Sequence, residues 1–391
     1  MIRPGAVPLL LVNCHGNDTT VGGAEHLVDV LLQELPQRGY DVSLLRAFPG
    51  PSSGAGETTL YASDWRESPV RRAANHLDDV LSRPTAGLRE ALERHRPAVV
   101  HTHNLQGLGT GIWELARRAG IPVVHTLHDY HLLCPRVTLM RRDATPCLPS
   151  PLLCGVRRGR LARWSGGVRA LTAVSEHLVR RHAGVFPDVP TTVIRNAVLP
   201  EVAGAAAPGG ELRTVGYLGA LDRIKGVHLL LEAAPALARL GIRLRLAGDG
   251  RLREEVEAAA AAHENVEYAG RVGGEAKQAF LAAADVGIVP SVWEEPGGPT
   301  LTMVEWLAAG RPVLVSPRGG LGEVVDAYPG ARACEPETDA IVAALDRLRV
   351  AELWREAVAA VVPPLAEGAR RRWVEAYTAV YASLAGASVG A

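Results

Sequence analysis

Three carboxylates and a hydroxyl stand close together late in the chain: Glu294, Glu295, Thr300 and Glu305. Between the paired acids and Thr300 runs Pro296-Gly297-Gly298-Pro299, a stretch that regular structure does not tolerate. Thr300 is therefore placed to cap a helix, its side-chain oxygen accepting from a free backbone N–H. Glu305 then falls about a turn and a half inside that helix. Gly310 closes it, Pro312 follows, and Val313-Leu314-Val315 starts a buried strand. The first N–H groups of such a helix, around Thr300, Leu301 and Thr302, form a ready anion site. Carboxylates before and within the helix can hold sugar hydroxyls. The combination suits a pocket for a sugar joined to a diphosphate.

Other residues capable of chemistry fall at the ends of apolar runs. Val123-Val124-His125-Thr126-Leu127-His128-Asp129-Tyr130 brings two imidazoles and a carboxylate to a strand end. A neutral His128 can donate or accept a hydrogen bond, and Asp129 is placed to orient it. His101, His103 and Asn104 form a similar cluster. The run Gly219 to Gly226, GALDRIKG, carries Arg223 and Lys225 on a loop before a helix, where a lysine meets phosphate as a point charge. Val21-Gly22-Gly23-Ala24-Glu25 opens the first long helix, and its glycines let backbone approach a ligand. Cys134, Cys147 and Cys154 follow the His128 loop without a Cys-x-x-Cys pair. They read as unpaired loop thiols, or as a zinc site with His131 as fourth ligand. No Asp-x-Asp loop occurs, and Asp78-Asp79 falls in a predicted helix. Metal-independent chemistry is therefore expected. Lys225, Arg223 and helix N–H groups would meet the charge that grows on a leaving phosphate.

These residues need elements to position them, and the chain alternates strands with helices. Strands are expected at Val7–Asn13, Tyr40–Leu45, Ala98–His101, Pro122–His125, Leu171–Ser175 and Thr192–Ile194. Helices are expected over about Ala24–Leu35, Pro84–His95 and Gly107–Ala119, with an irregular stretch from Pro49 to Glu67. The second half repeats the style, with strands at Arg213–Gly219, Arg243–Ala247, Val266–Tyr268 and Val286–Pro290. Helices there are Val227–Leu240, Leu252–His263 and Gly274–Ala283. Pro200–Gly210, rich in Ala, Pro and Gly, reads as a linker. A last helix covers about Gly368–Leu384. Two doubly wound α/β domains follow, with ligands at the carboxyl ends of their strands.

Composition narrows the classes. The 391 residues are too many for one domain to be expected. Lys+Arg and Asp+Glu both number 42, so no basic surplus points to nucleic acid. No apolar run reaches the length of a membrane span; peripheral membrane contact stays open. The N-terminal apolar run is too short for a signal peptide, so a cytoplasmic chain with reduced cysteines is expected.

The chain resembles the retaining GT-B glycosyltransferases of family 4. Their donor-site signature is Glu-Pro-Phe-Gly, a short apolar run, then Glu, Ala, a small residue, Gly, x, Pro, Val. Glu295-Pro296 and Glu305 with Ala308-Ala309-Gly310-Arg311-Pro312-Val313 fit it. Two features depart. Gly297-Gly298-Pro299-Thr300 replaces the Phe-Gly pair, and Glu305 follows Glu295 by ten positions, a wider spacing than the family's. Either Glu294 or Glu295 can therefore hold the sugar position. The family's Gly-Arg-Leu, three residues, Lys-Gly pattern is met by Gly219, Lys225 and Gly226, with Ala220 in place of the arginine and Arg223 as a substitute cation.

The resemblance implies a GT-B fold: two Rossmann-like doubly wound domains facing across a cleft. Residues 1–200 would form the acceptor-side domain and 201–367 the donor domain; the terminal helix and tail, 368–391, would cross back to the first. It implies a retaining transfer of sugar from a nucleotide-diphosphate sugar to a hydroxyl acceptor, with no metal and no cofactor. His128, Glu295 and Lys225 are the implied catalytic residues. Gly23, Arg223, Gly248, Arg271, Val272, Glu294, Thr300, Leu301, Thr302 and Glu305 would bind the donor. Gly22, His103, Asp129 and Arg136 would face the acceptor. With no obvious nucleophile, a same-face mechanism follows, in which the leaving phosphate helps deprotonate the acceptor. Another nucleotide-sugar enzyme of this fold, such as a 2-epimerase, or a non-catalytic nucleotide-sugar binding protein, is the alternative. A Rossmann oxidoreductase is disfavoured, since no Gly-x-Gly-x-x-Gly follows the first strand.

Overall fold

A run such as Val7–Asn13 (β1) is apolar without alternation, which suits a strand covered on both faces. In the computed structural model Leu9, Leu10, Leu11 and Val12 are each at most 1% exposed. The structure describes residues 5–14, 23–48, 57–60, 81, 83–141, 143–147, 151–196, 208–361 and 368–387.

The first sheet joins β1 to β2 (Tyr40–Arg46), β3 (Glu57–Thr59), β4 (Val99–Thr102), β5 (Val123–Leu127), β6 (Val168–Ala173) and β7 (Thr191–Val193). Its order is β3-β2-β1-β4-β5-β6-β7, and every pairing is parallel. The second sheet contains β8 (Thr214–Leu218), β9 (Arg243–Ala247), β10 (Val266–Tyr268), β11 (Val286–Val289), β12 (Val313–Val315) and β13 (Ala331–Ala333). Its order is β10-β9-β8-β11-β12-β13, again all parallel. Each order reverses once, between β1 and β4 in the first sheet and between β8 and β11 in the second. Loops that leave the carboxyl ends of strands at such a reversal diverge and leave a crevice. The loops after β4, β8 and β11 carry His103, Lys225 and Glu295 respectively.

The chain divides into two compact units. One takes the described parts of Met1–Leu139, Cys147–Arg195 and Arg370–Ala391; the other takes those of Met140–Pro146 and Asn196–Ala369. The terminal helix, Ala369–Ala387, therefore groups with the first unit, where Tyr381 packs on Tyr40 and Arg370 pairs with Glu34 at 2.9 Å. It runs three residues beyond the expected Leu384.

Local chemistry sets the ends of the site-bearing helices. Thr300 Oγ1 accepts from Met303 N at 3.3 Å and caps Leu301–Ala308, as its position predicts. Gly310 follows in the left-handed region at φ 73°. What holds this helix over the sheet is Trp306, fully buried. A Cβ at Gly216 or Gly287 would come within 2.5 Å or 2.3 Å of its ring. Those glycines are register partners on β8 and β11. The indole thus lies across the strand pair at the reversal, and the helix N-terminus is held above it.

The structure adds elements that the sequence reading left out. Glu57–Thr59 is a strand inside the stretch expected to be irregular. Helices Leu152–Ala162, Glu176–His182, Thr338–Leu348 and Ala351–Ala359 and strand β13 were not expected. The expected linker lies largely outside the described residues, as does Gly22.

Candidate active site

In the second unit four of the predicted residues, Lys225, Glu295, Thr300 and Thr302, meet at a cavity of about 100 Å³. Lys225, Ser291, Glu295, Thr300 and Thr302 line it together with Tyr217 and Gly219. Glu295 is 3% exposed. Its Oε1 accepts from Lys225 Nζ at 2.8 Å and from the Ser291 hydroxyl. Lys225 Nζ also lies 4.9 Å from the centre of the Trp293 ring, a cation–π contact. A buried carboxylate is tolerated only when paired and hydrogen-bonded, and these partners meet that need. Of the two adjacent acids, Glu295 lines the cavity and Glu294 does not.

The lysine loop is shaped by backbone crowding. Asp222 Oδ1 accepts from Ile224 N, which starts a short 3-10 turn over Arg223–Lys225. Gly226 ends that turn at φ 77°, and a Cβ there would sit 1.9 Å from the Pro290 carbonyl oxygen. The loops after β8 and β11 are therefore in direct backbone contact, which places Lys225 beside Glu295. The Tyr217 hydroxyl donates to Ala220 O at 2.6 Å. Its burial, then the charge of Glu295, push its pKa upward, so it stays a neutral donor.

Several predicted residues fall elsewhere. Arg223, expected to stand in for the missing arginine, is exposed and outside the cavity lining. It lies close enough to His228 to help lower that imidazole's pKa, after burial. Glu305 is buried and its Oε1 accepts from Lys277 Nζ at 2.8 Å, a partner that sequence reasoning missed. Gly248 was expected to let backbone approach a ligand. It is needed for packing within the protein: at φ 142° a Cβ would sit 1.8 Å from the Gly219 carbonyl oxygen. Gly248, Arg271, Val272, Leu301 and Glu305 lie outside the lining. The loop 317–320 was also missed. Gly320 N donates to Glu295 O at 2.7 Å and Arg318 Nη1 to Val292 O at 3.0 Å, so this loop braces the backbone that carries Glu295.

In the first unit the histidines assemble at the ends of β4 and β5. His103, Asn104, His125, His128, Asp129 and His131 line a space of about 10 Å³, room for about one water. His103 Nδ1 and His128 Nε2 are 2.9 Å apart with their rings stacked. Asp129, expected to orient His128, instead accepts from His131 N at 2.7 Å through Oδ1. The group touching His128 is His103. His103 in turn lies against His101, with centroids 4.0 Å apart, and His101 bonds Tyr381 of the terminal helix and Thr126 at 2.7 and 2.6 Å. Burial pushes His128 down to about 4 and His103 well below the usual imidazole value, so both are neutral near pH 7.

Neutrality makes the pairing directional, since one facing nitrogen donates and the other accepts. If His128 Nε2–H donated, His103 would carry its proton on Nε2. That atom is buried and has no hydrogen-bond partner among the described residues. A buried donor left unpaired is rarer than an under-used acceptor. His103 Nδ1–H therefore donates to His128 Nε2, and His128 is left to present Nδ1–H.

Glu25, the last residue of the glycine motif, lies on the helix Gly23–Glu34. It is 4% exposed, and burial, reinforced by nearby Asp129, pushes its pKa up to about 7. Arg136 is exposed. None of the five cysteines forms a disulfide, and among the described residues no cluster of His, Cys, Asp or Glu suits a metal.

The geometry can be set beside known proteins. Residues 21–202 match the model of Glycosyltransferase Family 4, and residues 212–350 that of Glycosyl transferases group 1. A glycogen synthase of Mycobacterium tuberculosis is 27% identical over 379 residues, covering 87% of this chain and 85% of that protein. A 2-deoxystreptamine N-acetyl-D-glucosaminyltransferase of Streptomyces fradiae is 28% identical over 384 residues, covering 88% and 87%. Among solved structures, Anabaena HepE in complex with UDP superposes with a TM-score of 0.69 at 16% identity, covering 96% of this chain and 100% of that one. Both halves match in order and the fold is shared along the chain: it belongs to the group 1 glycosyl transferases and is a GT-B glycosyltransferase.

Proposed function

We propose that the protein transfers a sugar, with retention, from a nucleotide-diphosphate sugar to a hydroxyl acceptor, without a divalent metal or other cofactor. The observation that carries this reading is the Lys225–Glu295 pair in a cavity beside the Thr300-capped helix. Breaking a sugar–phosphate bond builds negative charge on the leaving phosphate and positive character on the sugar. Lys225 and the N–H groups at the helix start can meet the first, and the Glu295 carboxylate the second. A bound diphosphate would draw Lys225 partly away from Glu295. That leaves the carboxylate to accept from sugar hydroxyls. The second unit is then the donor domain and the first the acceptor domain, where His128 would give its Nδ1–H to an acceptor hydroxyl. The name of the HepE complex, with UDP bound to the same fold, supports a nucleotide diphosphate as leaving group. The reading places the enzyme in the cytoplasm, where its five cysteines, none of them in a disulfide, would stay reduced.

The test is incubation with a panel of nucleotide sugars, following nucleotide release with and without acceptors, in EDTA and then with magnesium. Acceptor-dependent release with an α-linked product from an α-linked donor, unchanged by EDTA, is expected. Inversion at the anomeric carbon overturns retention. Activity lost in EDTA and restored by magnesium overturns the metal-free leaving group. Epimerised free sugar without transfer overturns the reading as a whole.

A further inference from the structure

The helix Leu152–Ala162 holds itself to the first unit by one face and leaves the other unaccounted for. Its inward side is anchored by Arg157, 5% exposed, whose guanidinium donates to His131 O at 2.6 Å. Leu161 is buried beside it, its carbonyl accepting from Thr110 Oγ1 at 2.9 Å. On the outward side, Leu152 is 85% exposed, Leu153 81% and Val156 52%. These are three of the five large apolar side chains exposed among the described residues, so the patch is concentrated rather than scattered. Helical spacing puts Arg160 and Arg163 on the same outward side, one to two turns further on, and both are exposed. The Arg163 guanidinium lies 4.5 Å from the centre of the Trp164 ring. From Ala144 to Ser175 the sequence has five arginines and no acidic residue.

We propose that this helix docks the protein on an anionic lipid bilayer. Leu152, Leu153 and Val156 would enter the boundary between headgroups and acyl chains. Arg160 and Arg163 would remain among the lipid phosphates. An apolar edge beside exposed arginines on the same helical side is the pattern of an interfacial helix. Self-association fits the face less well. A contact between two copies would crowd Arg160 and Arg163 with no acidic residue of 144–175 to pair them. Nucleic acid would engage the arginines but leave adjacent leucines in water.

The test uses the full chain with vesicles of phosphatidylcholine, with and without phosphatidylglycerol, read by flotation. The wild type is expected to float with anionic vesicles, weakly or not at all with neutral ones, and less as salt rises. Leu152→Ser with Leu153→Ser should lower the partition coefficient about tenfold or more. Arg160→Gln and Arg163→Gln should each lower it about fivefold. Because these side chains are exposed, thermal melting of each variant should match the wild type. A wild type that does not prefer anionic vesicles overturns the proposal, and so does a double serine variant that floats as well as the wild type. A wild-type dimer in sedimentation that the serine pair splits also overturns it, since the face is then a contact between copies.

Discussion

At the scale of single residues, the chemistry rests on who already holds whom. Lys225 is bound to Glu295 before any substrate arrives. If it then meets the leaving phosphate, its contribution grows as the bond breaks. Lys225→Ala should therefore lower turnover about 100- to 1,000-fold, with a smaller effect on acceptor KM. Lys225→Arg should rescue only in part, because a planar guanidinium presents its donors differently. Steady-state kinetics with a natural donor and acceptor checks this; near-normal turnover in Lys225→Ala would remove the lysine from the leaving group. The His103–His128 pair makes a second prediction. His103→Asn keeps a donor near the Nδ1 position, whereas His103→Leu keeps none. Nitrogen NMR of labelled histidine should show His128 protonated on Nδ1 in the wild type and in His103→Asn. In His103→Leu it should show a mixture of tautomers, with a fall in turnover. An unchanged His128 tautomer in His103→Leu would end the assignment of His103 as a positioning residue.

At the scale of elements, position comes from contacts between chain segments far apart in sequence. The loop holding Lys225 is set by Gly226 against Pro290, and an alanine there meets both a left-handed φ and a carbonyl oxygen. Left-handed backbone alone costs an alanine about 1–2 kcal/mol, and relieving the clash adds to it. Gly226→Ala should lower the thermal midpoint and also turnover, since the loop must move away from Glu295. Gly241→Ala is the control: φ is similarly positive, at 70°, but a Cβ meets nothing within 4 Å. Equal midpoints in the two variants would mean that the loop contact carries no weight. The same distinction governs what the sequence disclosed. The Thr300 cap, the Gly310 stop and the apolar strands were legible because each depends on neighbours within a few residues. Ile341, Leu345 and Leu348 also carry helical spacing, so Thr338–Leu348 was legible as well, though no element was named there. Other features were hidden. Strand Glu57–Thr59 is polar and exists by pairing with β2. Leu152–Ala162 turns Leu152 and Leu153 outward and buries an arginine, inverting the usual pattern at its start. The seat of Trp306 depends on two glycines on different strands. His103 meets His128 because β4 and β5 are adjacent and in register, Thr102 beside His125, which no spacing along the chain reveals.

At the scale of the whole molecule, the first unit gathers ionisable groups that burial keeps neutral, and they respond to pH in opposite directions. Burial holds Glu25 up to about 7, and Asp29 and Asp129 each up to about 6. Between roughly pH 4 and those values the folded state binds more protons than the unfolded chain, so these acids lower stability as pH rises. Burial pushes His125 down to about 3, His128 and His182 down to about 4, and His101 and His103 well below their usual value. Between about pH 4 and the unfolded imidazole value near 6.5, the unfolded chain binds more protons, so these groups raise stability as pH rises. Five imidazoles oppose three carboxyls over that window, and the imidazoles prevail. The thermal midpoint should climb from about pH 4 and flatten toward about pH 7, as the unfolded imidazoles finish losing their protons. Glu25→Gln removes one opposing group, so the climb should become steeper. Scanning calorimetry across this range measures both profiles. A midpoint that stays flat between pH 4 and 6.5 would mean the imidazoles are charged in the folded state, and the tautomer assigned to His128 would go with them.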